Sequence, residues 1–441
     1  MIRKGLSTIT DLGGTDQICR RMTIYKLPDN VLVEVFDFYL IQPYGQKDED
    51  AWHTLVHVCR RWRHIVFASP RRLNLQLRCT KNRPAQDMLD VWPALPIVLD
   101  WKCGMARCGS VNNILAALEQ HYRISSIDIS PIPNSILKKI RAMKGPFPIL
   151  TDLTLVSRNK TAPILSKSFL SGSTPRLQSL KLTSIPFPEL PNMLSSTNNL
   201  VTLHLWDVPR SGYISPAALV TSLSMSTRLQ QLRLEFRSPR SRVVHSRITR
   251  DPPPPARVVL PSLTFLQFKG DSEYLEEFAS RLEAPRLGYI CITFFNQLVI
   301  DNAQLRQFVS HTAGFNSFNR AEVLFQNSRV CLTVFSRGAR MEHKFLELAI
   351  ACEPSDWQLS AIAQVCRSLL PPIPSFDQLE ISQSRKYWQG DMEDVQWLEL
   401  LWPFKSVRRL VLSSYKVVGL VTPALQELAG ESMLDLLPAL E

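Results

Sequence analysis

The stretch Leu177–Leu182, with the sequence LQSLKL, decides the fold because its pattern of apolar residues recurs along most of the chain. The pattern is apolar-x-x-apolar-x-apolar, and it returns as LVTLHL at Leu200–Leu205 and as LQQLRL at Leu229–Leu234. The last two apolar residues of a copy lie two positions apart, so both point to one face of a short strand. Six further copies begin at Ile124, Leu150, Leu263, Leu287, Phe376 and Val407.

Helical patterns lie between the copies, so strand and helix alternate. Successive copies are mostly about 23 to 34 residues apart, near the upper range of leucine-rich repeats. We therefore expect an α/β solenoid in which a parallel sheet lines a concave face and helices lie outside. It resembles irregular leucine-rich repeats, although Ile185 or Val208 stands where that family has an asparagine. The predicted helices cover residues 111–121, 135–143, 216–225, 273–282, 302–311, 356–370 and 391–401.

The leucines of the repeat are expected to form the core, so a binding surface would consist of the residues between them. For each of these positions, the alternative is a solvated strand residue that binds nothing. The candidates for binding a target on the concave face are Lys181, His204, Arg233, Gln267 and Tyr289, and the same face includes Gln178, Ser179, Thr202, Gln231 and Arg409.

A different organisation precedes the repeats. The sequence LPDNVLVEVF at Leu27–Phe36 predicts an amphipathic helix, because Pro28 suits a first helical turn and apolar residues follow at helical spacing. A loop rich in charge follows, and the apolar stripe of residues 51–69 predicts a second helix that ends before Pro70. The segment is expected to be a small all-α unit of two to three helices, which buries little surface by itself and needs a partner or the following domain.

This segment resembles the F-box, on the order Leu27-Pro28, then valine and phenylalanine at helical spacing, then Val58-Cys59-Arg60-Arg61-Trp62. The loop between the helices is longer than is common in that family, and Trp52 stands where a smaller or acidic residue is usual. The resemblance implies a non-catalytic substrate-recognition subunit of an SCF-type cullin ubiquitin ligase. By match to the family, the residues that contact the Skp-type adaptor are Leu27, Pro28, Leu32, Val35, Phe36, Val58, Cys59 and Trp62.

The expected organisation has three parts. An extension covers residues 1–23, an F-box-like helical domain covers residues 24–72, and the leucine-rich-repeat-like solenoid covers residues 73–441. A basic insertion rich in proline and arginine is expected at about residues 237–258, read from six arginines and four consecutive prolines. It is either a solvated loop or a surface that selects acidic or phosphorylated targets.

Composition agrees with a soluble globular protein, with 45% hydrophobic and 20% charged residues. No apolar run is long enough to span a membrane, and no apolar segment typical of a secretory signal follows Met1-Ile2-Arg3-Lys4. The nine cysteines have no framework spacing, which favours reduced thiols in the cytoplasm or nucleus. The net charge of +12 raises nucleic-acid binding as an alternative, but no nucleic-acid-binding motif accompanies it.

Motifs of catalysis are absent from the sequence: there is no phosphate-binding loop, dinucleotide fingerprint, zinc-protease motif or serine elbow. His53, His57 and His64 share helical spacing but lack a further ligand at zinc spacing, so no metal or cofactor is expected. Three hypotheses remain: an SCF adaptor that delivers an unknown target, an F-box-like scaffold without a role in ubiquitination, and a basic solenoid that binds nucleic acid.

Overall fold

The chain forms two compact units in the computed structural model. One consists of Met1–Arg78 with Leu89–Pro96, and the other consists of Cys79–Met88 with Ile97–Glu441. The structure describes residues 24–40, 51–80, 85–102, 111–143, 145–159, 161–172, 174–239, 257–295, 303–311, 318–336, 345–352, 358–369, 376–384, 394–404, 406–413 and 415–428. The predicted extension at residues 1–23 and most of the predicted basic insertion lie outside these residues.

The first unit is built on three helices: α1 (Asp29–Leu40), α2 (Trp52–Val58) and α3 (Arg60–Ala68). Their packing follows from apolar residues at helical spacing, which give each helix one side that avoids water. The strand β1 (Leu77–Cys79) and the helix α4 (Ala85–Val91) each contain residues of both units. The core side chains of the three helices are Leu32, Val33, Phe36, Leu40, Trp52, Leu55, Val56, Ile65 and Val66.

The prediction of one helix over residues 51–69 was wrong. The chain breaks at Cys59, whose backbone is extended with φ −160° and ψ 171°. Cys59 is instead the N-cap of α3, where its Sγ accepts a hydrogen bond from the Trp62 N–H at 3.4 Å. The continuous apolar stripe hides this break, since a single extended residue leaves the apolar residues on both sides at near-helical spacing.

The second unit contains a large, mostly parallel sheet, so the fold is mixed α/β. The nine copies of the apolar pattern all contribute strands to it. The order of its strands from β2 onward is β2-β3-β4-β5-β6-β7-β9-β11-β14-β13-β12-β15-β16, and β8 pairs separately with β10. The strands are β2 (Ile97–Lys102), β3 (Ile124–Ser130), β4 (Asp152–Val156), β5 (Ser179–Thr183), β6 (Thr202–Val208), β7 (Gln231–Phe236), β8 (Val258–Val259), β9 (Phe265–Gly270), β10 (Leu282–Glu283), β11 (Tyr289–Phe295), β12 (Phe318–Gln326), β13 (Arg329–Ser336), β14 (Phe345–Ala351), β15 (Gln378–Gln383) and β16 (Arg409–Leu412).

The register aligns the repeated apolar residues across the strands. Leu180, Leu203 and Leu232 are direct partners in β5, β6 and β7, and all three are fully buried. The residues between them alternate to the other face of the sheet, as the two-residue period of a strand requires. The predicted role of the leucines as core is confirmed for these copies.

The expectation of an entirely parallel sheet was wrong between residues 318 and 351. There β12, β13 and β14 form an antiparallel meander, and only its outer strands pair in parallel, with β15 and β11. The connection from Gln326 to Arg329 is a two-residue turn, which cannot hold the crossover that parallel neighbours need. In the sequence, no regular copy of the apolar pattern begins between Leu287 and Phe376.

Among the described residues, the predicted helices of the repeat region are confirmed with small differences at their ends, and three helices, α4, α7 and α13, were not predicted. Helix α8 begins with Pro216 after the N-cap Ser215, whose side chain accepts a hydrogen bond from the Ala218 N–H. Residues 356–357 and 391–393, at the starts of two predicted helices, lie outside the described residues. The helices are α5 (Val111–Glu119), α6 (Asn134–Ala142), α7 (Leu190–Leu194), α8 (Pro216–Leu223), α9 (Ser272–Arg281), α10 (Ala303–His311), α11 (Gln358–Leu369), α12 (Asp394–Leu401) and α13 (Tyr415–Leu428).

Candidate interaction surfaces

The eight residues assigned to adaptor binding differ in exposure. Leu32 and Phe36 are buried in the core of the three helices, so they support the surface from beneath. Pro28, Val35 and Val58 are exposed, and Leu27, Cys59 and Trp62 are half-buried.

Helix α1 carries apolar residues on its exposed side as well as on its buried side. Val35 is 41% exposed, Phe38 is 79% exposed and Tyr39 is 51% exposed, while Val58 at the end of α2 is 51% exposed. Large apolar side chains scattered singly on a surface are normal, but a group of them on one short helix indicates a binding site. The set Val31, Val35, Phe38 and Tyr39 is called the α1 apolar surface below.

Contacts from α3 fix the start of α1. The guanidinium of Arg61 donates hydrogen bonds to Asp29 Oδ1 at 2.6 and 3.0 Å and to the carbonyl oxygen of Leu27 at 2.6 Å. The ring of Trp62 packs on that of Phe36 with 4.8 Å between centroids. The Leu27-Pro28 corner is therefore held in place by the same helix that carries the Cys-Arg-Arg-Trp motif.

Trp92 belongs to the same unit, although it follows the helices by more than twenty residues. Its ring contacts the rings of Trp52, His53 and His57 at centroid distances of 5.3, 5.0 and 5.9 Å. His53 and His57 thus pack against an aromatic ring. In the described part of the chain, no group of three metal-ligating side chains is close enough to hold an ion.

The second unit brings together the five residues assigned to target binding. Lys181, His204, Arg233 and Gln267 are direct register partners on β5, β6, β7 and β9. Tyr289 lies on the same face one row away, as the partner of Phe265 on β9. The first three residues, Lys181, His204 and Arg233, are called the basic row below.

An aromatic group surrounds Arg233. Its guanidinium lies over the ring of Phe265 at 4.6 Å and over that of Trp206 at 5.6 Å. Phe265 stacks on Tyr289 with 4.5 Å between centroids and 15° between planes. Arg233 and Tyr289 were predicted from the sequence as target-binding residues, whereas Trp206 and Phe265, which occupy the same alternating strand positions, were not. These four side chains are called the aromatic stack below.

His204 is 5% exposed, and the side chain of Gln231 lies within hydrogen-bonding reach of its ring. Burial and the positive charges of Arg233 and Lys181 lower the pKa of His204 to about 4, against a small opposing effect of the Gln231 side chain. The imidazole is therefore neutral near pH 7. Arg233 Nε is buried without a hydrogen-bond partner among the described residues.

Carboxylates flank the basic row. Glu235 accepts a hydrogen bond from Gln267 Nε2 at 2.7 Å, and burial raises its pKa although Lys269 and Arg233 oppose the change. Asp207 binds the guanidinium of Arg237, with a shortest distance of 2.8 Å. Burial raises the pKa of Asp207, but the hydrogen bonds from Arg237 and Ser184 outweigh it and lower the pKa overall.

Cysteines further along the same face are protonated. Burial, aided by the Glu347 carboxylate, raises the pKa of Cys291 and Cys331 to about 12. The Cys331 Sγ–H donates to Glu347 Oε1 at 3.5 Å. Because the thiolate is the nucleophilic form, these thiols do not provide a reactive nucleophile near pH 7.

Comparison with known proteins gives no match: no protein-family model fits the chain, and no curated protein matches it significantly. Among the residues that the structure describes, no helix combines the length and the apolar character needed to cross a membrane.

Proposed function

We propose that this protein is a non-catalytic substrate-recognition subunit of an SCF-type cullin ubiquitin ligase. The first unit would be an F-box that docks a Skp-type adaptor, and through it a cullin. The repeat region would be a leucine-rich-repeat-like solenoid that binds the target protein. This role belongs to the cytoplasm or the nucleus.

The observation that carries the proposal is the exposure of large apolar side chains on the small helical unit. The α1 apolar surface and Val58 are exposed on the helices to which the resemblance to the F-box assigns adaptor contacts. Interfaces draw their affinity from a few such apolar and aromatic anchors. The aligned leucines of the sheet support the solenoid, since each repeat packs mainly on its neighbours.

In this role the chain acts by proximity. The bound target is held near a ubiquitin-charged enzyme, which raises the effective concentration of its lysines near the thioester. The protein needs no cofactor, metal or reactive thiol of its own for this purpose.

The test is capture of the host's Skp-type adaptor by the full-length chain. We expect stoichiometric capture by the native chain and at least about a tenfold loss of affinity in the Val35→Asp/Val58→Asp double variant, because two charges would replace apolar contacts. Val418→Asp is the matched control, since Val418 on α13 has the same 41% exposure as Val35. Failure of the native chain to capture the adaptor would contradict the proposal.

An assay of ubiquitin transfer distinguishes the SCF adaptor from a scaffold of the same fold that has no role in ubiquitination. A reconstituted ligase should modify a protein recovered with the repeat region, and the Val35→Asp/Val58→Asp variant should not support the modification. Capture of the adaptor without any transfer would favour the scaffold hypothesis.

A further inference from the structure

The basic row and the aromatic stack, together called the patch below, lie on one face of the sheet, opposite to the buried leucines. Arg233 belongs to both, since it follows His204 in the register and lies between the rings of Trp206 and Phe265. Tryptophan, tyrosine and arginine are the residues most enriched at the energetic centres of protein interfaces. The patch spans β5, β6, β7, β9 and β11.

The cations of this patch have unused binding capacity. Neither Lys181 nor Arg233 forms an ion pair with a carboxylate in the described part of the chain, unlike Arg237 and Arg320 on the same sheet. His204 between them is buried, and Arg233 Nε has no hydrogen-bond partner among the described residues. Buried polar atoms without partners are uncommon and costly, so a group that supplies an acceptor here would be bound favourably.

The aromatic members of the patch determine which chemical group of a ligand can lie beside the oxygen that Lys181 and Arg233 bind. Trp206, Phe265 and Tyr289 are half-buried, so part of each ring remains accessible. Such rings offer apolar area at low entropic cost, and they prefer an aliphatic or aromatic partner. A ligand that fits the patch therefore carries an anionic oxygen next to an apolar group.

The charges around the patch favour a carboxylate over a polyanion. Glu235 lies near Arg233 and Lys269, and Asp207 follows Trp206 on the same strand. Asp207 is paired with Arg237 and Glu235 lies beside Lys269, so Lys181 and Arg233 do not extend into the continuous basic groove that a chain of phosphates needs. Two cations beside a neutral imidazole match one carboxylate, whereas phosphate recognition usually employs a cluster of arginines.

We infer that the patch formed by Lys181, His204, Arg233, Trp206, Phe265 and Tyr289 binds an aspartate or glutamate side chain of an extended peptide segment that has an apolar residue beside it. Arg233 and Lys181 bind the carboxylate, and the three rings contact the neighbouring apolar side chain. The inference rests on the proposed function only in naming the segment as part of the target, because the binding itself requires no adaptor.

The experiment measures fluorescence anisotropy of labelled synthetic peptides with the full-length chain. The probe has glutamates on both sides of a phenylalanine, and its counterparts carry glutamine, lysine or phosphoserine in place of the glutamates. A single-stranded oligothymidine is the nucleic-acid probe. We expect the glutamate peptide to bind at least about tenfold more tightly than the glutamine or lysine peptide.

Arg233→Gln should weaken binding of the glutamate peptide about tenfold or more. Arg320→Gln is the matched control, because Arg320 also lies over an aromatic ring, that of Phe335 at 5.6 Å, but is already paired with Glu380. It should leave the affinity unchanged. If Arg233→Gln lowers the urea midpoint of unfolding, the affinity of the Lys181→Gln variant for the glutamate peptide is measured in its place, since Lys181 is a second half-buried cation of the patch.

Three results would overturn the inference: equal affinity for the glutamate and glutamine peptides, an affinity that Arg233→Gln and Lys181→Gln leave unchanged, or much tighter binding of the phosphoserine peptide or the oligothymidine. Adaptor capture is scored separately. A chain that binds the peptide but not the adaptor retains this inference and loses the proposed ligase role, and the reverse result does the opposite.

Discussion

The neutral, buried His204 should make the repeat region sensitive to acid. Burial and the facing cations Lys181 and Arg233 lower the pKa of His204 from 6.5 to about 4. The unfolded chain therefore binds more protons than the folded chain between these two values, so stability is fully present above pH 6.5 and falls as the pH drops towards 4. At pH 5 the loss from this one group is about 2 kcal/mol.

Urea unfolding at pH 8 and at pH 5 measures the effect. The native chain should lose about 2 kcal/mol more between these conditions than His204→Leu, in which the titrating group is gone. His64→Leu, at an exposed position on α3, is the control for the same substitution away from the basic row. An equal loss in the native chain and in His204→Leu would show that His204 does not titrate differently on folding.

At the level of elements, the meander β12–β14 sets the register of the second half of the sheet. Leu332 on β13 is fully buried, while its neighbour Thr333 points to the other face and is half-buried. Leu332→Ala should destabilise the protein by about 2–5 kcal/mol, because a cavity replaces buried contacts. Thr333→Ala should change stability by no more than about 0.5 kcal/mol.

Equilibrium denaturation of the two alanine variants checks this assignment. Which variant loses more stability tests the register of β13, because a shift of one residue would exchange the buried and the exposed faces of the strand. A larger loss in Thr333→Ala than in Leu332→Ala would place Thr333 in the core and require a different register for β13.

The sequence predicted helices and strands well where the spacing of apolar residues determines them. Apolar residues two positions apart, such as those around Leu203 and Leu232, identified strands, and apolar residues at helical spacing identified the helices between them. The antiparallel pairing of β13 was not predicted, because alternation of apolar residues is the same in parallel and antiparallel strands. Only the two-residue connection Asn327-Ser328 contained that information.

The candidate site was predictable only in part, for a related reason. Alternation indicated that Lys181, Arg233 and Tyr289 lie on one face, since this depends on neighbours in sequence. The contacts of Arg233 with Trp206 and Phe265 depend on register between strands about thirty residues apart, which no local pattern fixes. The break at Cys59 was equally hidden within a continuous apolar stripe.

At the scale of the whole molecule, the two compact units alternate along the chain. Residues 79–88 belong to the second unit, and Leu89–Pro96 return to the first and bring Trp92 to Trp52. Trp52 is almost completely buried, and Phe67 of α3 also contacts both rings. The helical domain predicted from the sequence ends at residue 72, which would separate these rings.

A pair of fragments tests the contribution of this return segment. The fragment of residues 24–96 should unfold at a higher urea concentration than the fragment of residues 24–72, because Trp92 covers Trp52 and contributes about 2 kcal/mol. Far-ultraviolet circular dichroism monitors both transitions. Trp92→Ala in the longer fragment should remove most of the difference, whereas Val91→Ala, at a neighbouring residue that is 71% exposed, should not. Coincident transitions for the two native fragments would mean that α1, α2 and α3 are stable without the return segment, and adaptor docking could then be studied with residues 24–72 alone.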